Sequence, residues 1–355
     1  MSSTLQALGL DSSTADVLHT APAELVPGRV ARVDKGLATV LTEDGPVRAT
    51  WSGALLGAIA GDSAAMPCTG DWALLRQWPD DRITLESLLP RRTAIVRAEV
   101  SGTSKGQVLA ANVDVVAIVV GLHPEPNIGR IERFLALAWE SGARPVVVLT
   151  KADLVGDGEA IAEDVAVAAP GADVLVCSTA TGEGMDAVRE LLAGDATLAL
   201  LGSSGAGKSS LVNALAGVEL LDVQAIREDG KGRHTSVRRE LIVLPSGGVV
   251  IDTPGLRGIG LQESGEGLAA AFPDITSLAE VCKFKDCAHD TEPGCAVQAA
   301  LADGSLPYRR YDSWLRLRRE AAYMARRSDV RLQAEAKKEW VRASKSYRRD
   351  SKPRL

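Results

Sequence analysis

The stretch TLALLGSSGAGKSSLVNALAG, residues 197–217, decides the fold of this chain. An apolar run, TLALL, leads into GSSGAGKS, which matches the phosphate-loop pattern G-x-x-x-x-G-K-[ST] at every position. A helical pattern follows at once. Strand, glycine-rich turn and helix in this order form the context that such a motif requires. The stretch therefore predicts a phosphate-binding loop within an α/β domain.

The residue types of this loop indicate how it would hold a nucleotide. Backbone N–H groups wrap the phosphates, and the positive end of the helix dipole faces the same anion. We expect Lys208 to reach the β- and γ-phosphates, where it also serves catalysis, and Ser209 to bind Mg²⁺. The predicted nucleotide-binding residues of the loop are Gly202, Ser203, Ser204, Gly205, Ala206, Gly207, Lys208, Ser209 and Ser210.

Two further elements follow the phosphate loop. In VVIDTPG, Asp252 ends an apolar run and Gly255 follows it, as in the D-x-x-G element of GTPases. We expect Asp252 to hold Mg²⁺, directly or through water, and the Gly255 N–H to contact the γ-phosphate. The polar segment REDGKGRHTSVRREL before it has the composition of a switch. Its Thr235 is predicted to supply a hydroxyl to Mg²⁺, with Ser236 as the alternative.

Two base-recognition elements precede the loop. TKAD follows the run VVVL and is close to the guanine-reading N-K-x-D, so Asp153 would accept from guanine and Lys151 would lie along the base plane. Ser178 and Thr179, after the run DVLV, resemble the second base-binding element. In an ordinary GTPase both elements follow the phosphate loop, whereas here the loop begins 49 residues after Asp153. Five elements in the usual cyclic order indicate a circularly permuted GTPase.

Two positions depart from the usual GTPase pattern. Thr150, which we include in the nucleotide site, stands where many GTPases have Asn, and its hydroxyl cannot make every bond of an amide. Leu256 stands where many GTPases have a glutamine that orients water. Hydrolysis could be slow, another side chain could substitute, or a partner could supply the group. His234 is the local candidate for a catalytic role, the alternative being a contact to phosphate or RNA or a structural role.

Composition divides the chain into four parts. Residues 1–25 are small and polar and are predicted to be a flexible extension. Short alternating segments over residues 26–100 predict an OB-type β-barrel, in which tryptophans could stack on bases or pack in the core. Apolar runs alternating with helical patterns over residues 105–272 predict a mostly parallel sheet covered on both faces. Residues 273–355 are predicted to form a mostly helical, zinc-binding domain with a basic tail.

The cysteines predict a metal site. Cys282, Cys287, His289 and Cys295 form C-x₄-C-x-H-x₅-C, which supplies a closed tetrahedral set for one structural zinc per chain. Only five cysteines occur, and the first twenty residues show no signal for export, so we expect a reducing cytoplasm and no disulfides. No apolar run approaches the roughly 20 residues that span a membrane, so we expect no membrane partner.

Charge is distributed unevenly along the chain. Residues 307–355 contain 16 Lys and Arg against six Asp and Glu, although the net charge of the whole chain is −6. A basic tail on an acidic body indicates that the tail meets an anionic partner, the alternative being a solvated helical face.

These motifs together resemble the ribosome small subunit-dependent GTPase A family (RsgA/YjeQ). The resemblance covers residues 28–325 and rests on GDW, LPRRT, LAANVD, RIERFL, GSSGAGKSSLVNAL, GRHT, IDTPGLRG and CKFKDCAHDTEPGCAV. It implies an OB-fold, a permuted GTPase domain and a zinc-containing C-terminal domain. It also implies binding to the small ribosomal subunit late in its maturation, with hydrolysis stimulated by that subunit.

The sequence therefore predicts a ribosome-assembly GTPase with GTP or GDP, Mg²⁺ and Zn²⁺ as its cofactors. We expect the small subunit and its 16S rRNA as partners, and a monomer in the cytoplasm. Two other functions fit part of the pattern. One is a P-loop ATPase or kinase of small molecules, which the TKAD element disfavours. The other is an RNA-binding module in which a nucleotide only stabilises the fold.

Overall fold

The computed structural model describes residues 3–97, 107–221, 239–252 and 265–328 of the chain. The predictions made for His234, Thr235, Ser236, Gly255 and Leu256 lie outside the described residues, as does the part of the basic tail after residue 328.

Two short helices occupy the segment for which the sequence suggested a flexible extension. Helix α1 spans Ser3–Ala7 and α2 spans Ser12–His19. Leu5 and Leu8 are buried in one cluster with Trp72 and Leu89 of the barrel region. The segment is folded because its few leucines meet an apolar surface that the local sequence does not reveal.

A closed five-stranded barrel follows, as the sequence predicted. Its strands run in the order β1-β2-β3-β5-β4, and β4 pairs back with β1. Only β3 and β5 pair in parallel. Val30, Val40, Leu75 and Leu85 fill the interior. The strands and the helix between β3 and β4 are β1 (Val26–Asp34), β2 (Leu37–Thr42), β3 (Gly45–Trp51), α3 (Gly53–Gly61), β4 (Trp72–Gln77) and β5 (Ile83–Leu88).

A two-stranded antiparallel sheet, β6 (Ala94–Arg97) with β7 (Gln107–Ala111), leads from the barrel to the α/β domain. The buried Arg29 fixes the two parts together. Its guanidinium donates to the carbonyl oxygens of Gly70 at 3.3 Å and Asn112 at 2.9 Å, and also to that of Leu8. Gly70 has φ +94°, and a Cβ there would lie 2.2 Å from the Ala111 carbonyl oxygen. These contacts account for GDW and LAANVD as structural motifs of the junction.

The α/β domain contains a six-stranded sheet in the order β10-β9-β8-β11-β13-β12. Its described pairs are parallel except β12 with β13. Ile118 and Val147 pack on one face, and Val119 and Val148 pack on the other. Both faces are covered, which is why the strands read as continuous apolar runs. The elements are β8 (Val115–Gly121), α4 (Ile128–Glu140), β9 (Arg144–Thr150), α5 (Gly158–Ala168), β10 (Asp173–Val176), α6 (Met185–Glu190), β11 (Thr197–Leu201), α7 (Lys208–Ala216), β12 (Glu240–Val243) and β13 (Val249–Asp252).

The C-terminal region is helical, with α8 (Glu266–Ala271), α9 (Pro273–Glu280), α10 (Ala296–Asp303) and α11 (Tyr308–Ser328). Tyr311, Trp314 and Leu317 of α11 are buried in the same apolar cluster as the α4 residues of the GTPase domain. The two regions therefore share one core. Among the described helices, none combines the length and apolar composition needed to cross a membrane.

A buried charge network also holds α11 in place. Arg310, which is 4% exposed, donates to both oxygens of Asp274, at 2.5 and 2.8 Å, and to Glu132 of α4 at 3.0 Å. The Phe272 ring lies 4.6 Å below the same guanidinium. Glu132 is fully buried and also pairs with Arg309 at 3.2 Å. A buried ion set of this kind is costly to break, because any partner left behind is an uncompensated charge.

These contacts limit the sequence interpretation of the basic tail. The composition of residues 307–355 indicates an anionic partner, but Arg309 and Arg310 are paired with acidic residues of the same chain. Arg318 donates to the Ala288 carbonyl oxygen at 3.0 Å and lies over the Trp314 ring. The first part of the tail is therefore a structural helix, and its arginines count only in part toward partner binding.

We predict that two truncations will differ sharply. A chain ending at residue 307 loses the three buried apolar residues of α11 and Arg310, and each large core truncation costs about 2–5 kcal/mol. That sum rivals the about 5–15 kcal/mol that stabilise a typical domain, so this chain should unfold or aggregate. A chain ending at residue 328 keeps every contact described for α11 and should melt within a few degrees of the full chain. Equal melting temperatures of the two truncated chains by circular dichroism would contradict the role given to α11.

Candidate functional site

The carboxyl ends of the parallel strands bring the sequence motifs together. Thr150 ends β9, Ser178 comes after β10, Gly202 follows β11 and Asp252 ends β13. Neighbouring parallel strands end at one edge of the sheet, which is where such sheets bind ligands. Motifs far apart in the chain, and permuted in order, therefore face one region.

The phosphate loop joins β11 to α7 through left-handed glycines. Gly205 has φ +79° and Gly207 has φ +93°, which only glycine adopts readily. Lys208 begins α7, and its ammonium donates to the carbonyl oxygens of Gly202 and Ser203 at 2.9 Å each. Ser209 and Ser210 lie half-buried in the first helical turn. The strand–loop–helix context predicted from the sequence is thus present.

Thr150 connects the base-recognition element to the phosphate loop. Its side chain is almost fully buried, and the hydroxyl donates to the Ala206 carbonyl oxygen at 2.6 Å. A Cβ on Gly207 would lie 3.2 Å from the same hydroxyl, so glycine permits this close approach. The structure therefore places Thr150 behind the loop, as a brace between the two elements. The shorter side chain retains a bond to the loop although it lacks the amide of Asn.

The two base-recognition loops contact each other directly. The Ser178 hydroxyl donates to Asp153 Oδ1 at 2.5 Å, and it accepts from the backbone N–H groups of Ala180 and Thr181 at 3.2 Å each. Lys151 has a left-handed backbone, with φ +64°, at the turn out of β9. Thr179, adjacent to Ser178, is half-buried. Ser178 thereby fixes the orientation of the carboxylate that the sequence assigned to guanine.

The metal-binding side of the nucleotide site is described in part. Asp252 is 7% exposed and lies opposite Leu200 of β11, the neighbouring strand, from which the phosphate loop follows. Ser209 and Asp252, two of the three residues predicted for Mg²⁺, thus follow neighbouring strands of the sheet. Hydroxyl and carboxylate oxygens are suitable ligands for this hard cation.

A cleft of about 580 Å³ opens beside the phosphate loop. One wall is formed by residues 202–206 and Lys151, and the other by the loop after β8 and the start of α4. Arg130 and Arg133 line this second wall. The RIERFL segment carries a resemblance to the family, but the sequence alone does not place its arginines in the site. Two basic residues three positions apart at a helix start, directly after a core strand, were the available signal.

The four predicted zinc ligands form a compact cluster, with all four ligand atoms within 4.8 Å of one another. His289 Nδ1 lies 3.5 Å from Cys282 Sγ and 3.6 Å from Cys295 Sγ, and the two sulfurs are 3.9 Å apart. Zinc bond lengths of about 2.3 Å to sulfur and 2.0 Å to nitrogen predict tetrahedral edges of about 3.8 Å and 3.5 Å. The donor set therefore fits a tetrahedral zinc ion.

Neighbouring groups support this cluster. Backbone N–H groups of Ala296 and Gln298 donate to the sulfurs of Cys282 and Cys295, at 3.4 and 3.5 Å. Burial, together with the charge of Arg318, lowers the pKa of His289, and the neutral imidazole is the form that binds metals. The other two cysteines, Cys68 and Cys177, are buried away from the cluster. Burial raises the pKa of the Cys177 thiol to about 11, as expected for a packed thiol.

The Tyr311 hydroxyl donates to the His289 carbonyl oxygen at 2.7 Å, and the Trp314 ring meets the imidazole edge-on at 5.7 Å. Both aromatic residues belong to α11. The Cys₃His cluster is therefore attached to the helix that packs on α4.

Comparison with known proteins agrees with this architecture. The chain is similar to YjeQ from Thermotoga maritima, with a TM-score of 0.62 and 25% identity over 84% of this chain and 98% of that one. It is also similar to YloQ, described as a circularly permuted GTPase, with a TM-score of 0.57 and 28% identity over 85% of this chain and 97% of that one.

Residues 88–262 match the family model described as RsgA GTPase. A protein of Streptomyces coelicolor named small ribosomal subunit biogenesis GTPase RsgA is 50% identical over 96% of this chain and 93% of its own length. A protein of Opitutus terrae with the same name is 42% identical over 97% of both chains. Identity at this level over nearly the full length, together with the family model and the permuted order of the nucleotide motifs, shows that the chain belongs to the RsgA GTPase family.

Proposed function

We propose that this GTPase is an assembly factor of the small ribosomal subunit, which it binds late in maturation and which stimulates its hydrolysis of GTP. The contact between Asp153 and Ser178, on the same sheet edge as the phosphate loop, is the observation that carries the choice of GTP as the nucleotide. The contact orients the Asp153 carboxylate, which accepts hydrogen bonds from guanine, and guanine is therefore preferred over adenine. The names of the relatives from Streptomyces and Opitutus support the choice of partner.

In this proposal each nucleotide motif of the sequence has a defined task. Asp153 accepts from guanine, Lys151 lies along the base, and Ser178 and Thr179 complete the base-binding edge. The loop from Gly202 to Ser210 wraps the phosphates. Mg²⁺ would neutralise charge on the β- and γ-phosphates, held by Ser209, Asp252 and Thr235. The Gly255 N–H would contact the γ-phosphate.

Lys208 reaches the same phosphates and stabilises their developing negative charge. With leucine at position 256, we propose that His234 orients water, its neutral imidazole accepting the proton.

We further propose that the bound RNA is 16S rRNA and that the protein acts as a cytoplasmic monomer. Arginines beside an exposed aromatic ring support an RNA surface on the barrel. On the barrel, Arg76 and Arg82 flank the partly exposed Trp78 ring at 5.8 and 5.4 Å. Trp72, by contrast, is buried in the core. We retain as proposals the domain limits 26–100, 105–272 and 273–355, and a single structural zinc held by the Cys₃His cluster.

The direct test is GTP turnover measured alone, with small subunits and with large subunits. A partner that orders or supplies one catalytic group contributes about 10²–10⁴-fold, so small subunits should raise turnover by about 10² or more. Large subunits and ATP in place of GTP serve as controls and should give no comparable rate. Equal turnover with and without small subunits would reject the assembly role and favour a nucleotide that only stabilises an RNA-binding fold.

Asp153→Asn should shift the preference of the protein from GTP toward xanthosine triphosphate, because the amide donates where the carboxylate accepted. Loss of a charged hydrogen bond to guanine should cost about 1.5–3 kcal/mol, which corresponds to about 10- to 150-fold in GTP affinity. Competition binding with the two nucleotides measures the shift. Asp157→Asn, at the cap of the neighbouring α5, is a matched control outside the base-binding loop. Unchanged GTP affinity in Asp153→Asn would remove the guanine-reading role of TKAD.

Metal analysis should find about one zinc per purified chain, as four closed ligands require. Cys287→Ser removes a direct ligand and should weaken zinc binding by more than about 100-fold, the upper effect of losing an outer-shell partner. It should also lower the melting temperature, since the cluster supports α11 through His289 and Tyr311. Cys177→Ala is the control, because that thiol lies outside the cluster and its loss should leave the zinc content at one. A metal-free protein of undiminished stability would contradict the zinc proposal.

A further inference from the structure

The α4 wall of the cleft beside the phosphate loop, called the nucleotide cleft below, carries two guanidinium groups with different surroundings. Arg130 and Arg133 lie three positions apart, on one face of the first turns of α4, and both line the cleft. Within the part of the chain that the structure describes, the Arg130 guanidinium makes no hydrogen bond or ion pair. The charge of Arg130 is thus available to the cleft, whereas that of Arg133 is engaged.

Glu320 of α11 holds Arg133 through a bidentate ion pair. Nη2 of Arg133 lies 2.7 Å from Oε1 of Glu320, and Nη1 lies 2.9 Å from Oε2. The side chains are 30% and 28% exposed, so the pair lies at the rim of the cleft and is partly shielded from solvent. A guanidinium and carboxylate in this geometry form a strong, directional pair. As long as the pair is intact, Arg133 adds little net positive charge to the cleft.

Glu320 lies on the helix that also contacts the metal-binding cluster. Trp314 meets His289, and Arg310 fixes the same helix to Glu132, next to Arg133 in sequence. The distance along α11 from Trp314 to Glu320 is six residues, or about 9 Å at the rise of an α-helix. A partner that displaces α11 at the cluster would therefore also strain the ion pair at the cleft.

We propose that Glu320 is a positioning residue that controls the charge of the nucleotide cleft by neutralising Arg133. When α11 moves, the pair opens, and a permanent positive charge becomes available beside the phosphate loop. The C-terminal region thereby sets the affinity of the cleft for the phosphates of a nucleotide. This inference depends on the proposed function in one respect, namely that the cleft holds the phosphates of GTP.

The test compares two substitutions that break the same ion pair but change the charge in opposite directions. Glu320→Gln can still accept from Arg133, but it leaves the positive charge uncompensated, so a non-hydrolysable GTP analogue should bind about two- to fivefold more tightly. Arg133→Gln leaves Glu320 uncompensated and should weaken binding by a similar factor. The double variant restores the original net charge and should bind as the unaltered protein does. These differences should shrink at high salt.

Two controls separate charge from structure. Asp312→Asn removes an acidic charge from α11 that pairs with Arg316 on the same helix, and it should leave nucleotide affinity unchanged. Arg133→Lys keeps the positive charge but loses the bidentate geometry, so it should bind the analogue at least as tightly as the unaltered protein. Melting temperatures of all variants are measured alongside. A lower melting temperature reports that α11 has lost its docking on α4, independently of nucleotide affinity.

Opposite shifts in the two single variants, with recovery in the double variant, would support the inference. Shifts in the same direction, or no shift in either, would overturn it, because a pair that only docks α11 makes both substitutions equivalent. The proposed function is tested separately by subunit stimulation of the unaltered protein. If stimulation is present while the two variants bind alike, the assembly role stands and Glu320 has no part in it.

Discussion

The pairing of β11 with β8 on one side and β13 on the other is the constraint on which the nucleotide site depends. It places the phosphate loop in the middle of the sheet. Strand β13, which ends in Asp252, lies directly beside β11, whereas β8 separates β11 from β9, which ends in Thr150. Hydrogen bonding between parallel strands is indifferent to the order in which the chain supplies them. A permuted chain can therefore build the site of an ordinary GTPase, provided that each motif follows the same strand. The bond from Thr150 to Ala206 then fixes base recognition to phosphate recognition.

Permutation changes what the ends of the domain are attached to. The last described strand of the sheet, β13, is followed in the chain by the C-terminal helices, and α11 returns to pack on α4. The helix that carries one wall of the cleft beside the phosphate loop is thereby also the docking surface of the C-terminal region. Glu132 faces away from the cleft and pairs with Arg310, while Arg133 lines the cleft and pairs with Glu320. Two neighbouring residues thus connect α11 to the core and to the site.

Local patterns were readable from the sequence, and long-range contacts were not. The phosphate loop and the Cys₃His cluster are encoded by spacing within short segments. The barrel is encoded by short alternating segments, and the α/β domain by apolar runs that alternate with helical patterns. All of these features could therefore be predicted from the sequence. The Arg310–Glu132 pair joins residues 178 positions apart, and nothing in either segment indicates it. Leu5 and Leu8 are likewise unremarkable in a polar stretch until Trp72 is placed beside them. Arg130 and Arg133 belong to a sequence motif, but only the cavity that they line indicates a role for them.

Ion pairs within the molecule are the reason why composition alone overestimates the charge that the tail offers to a partner. Residues 307–355 are strongly basic, and the simple interpretation assigns all of that charge to an anionic partner. In the structure, part of it offsets acidic groups of the same molecule: Arg309 and Arg310 balance Glu132 and Asp274. The net field of α11 is therefore weaker than its composition suggests, and even the exposed Arg316 is paired with an acidic residue of the same helix, Asp312. Since the internal pairs also hold α11 against α4, the charges that do not face a partner are the ones that fix this helix beside the cleft.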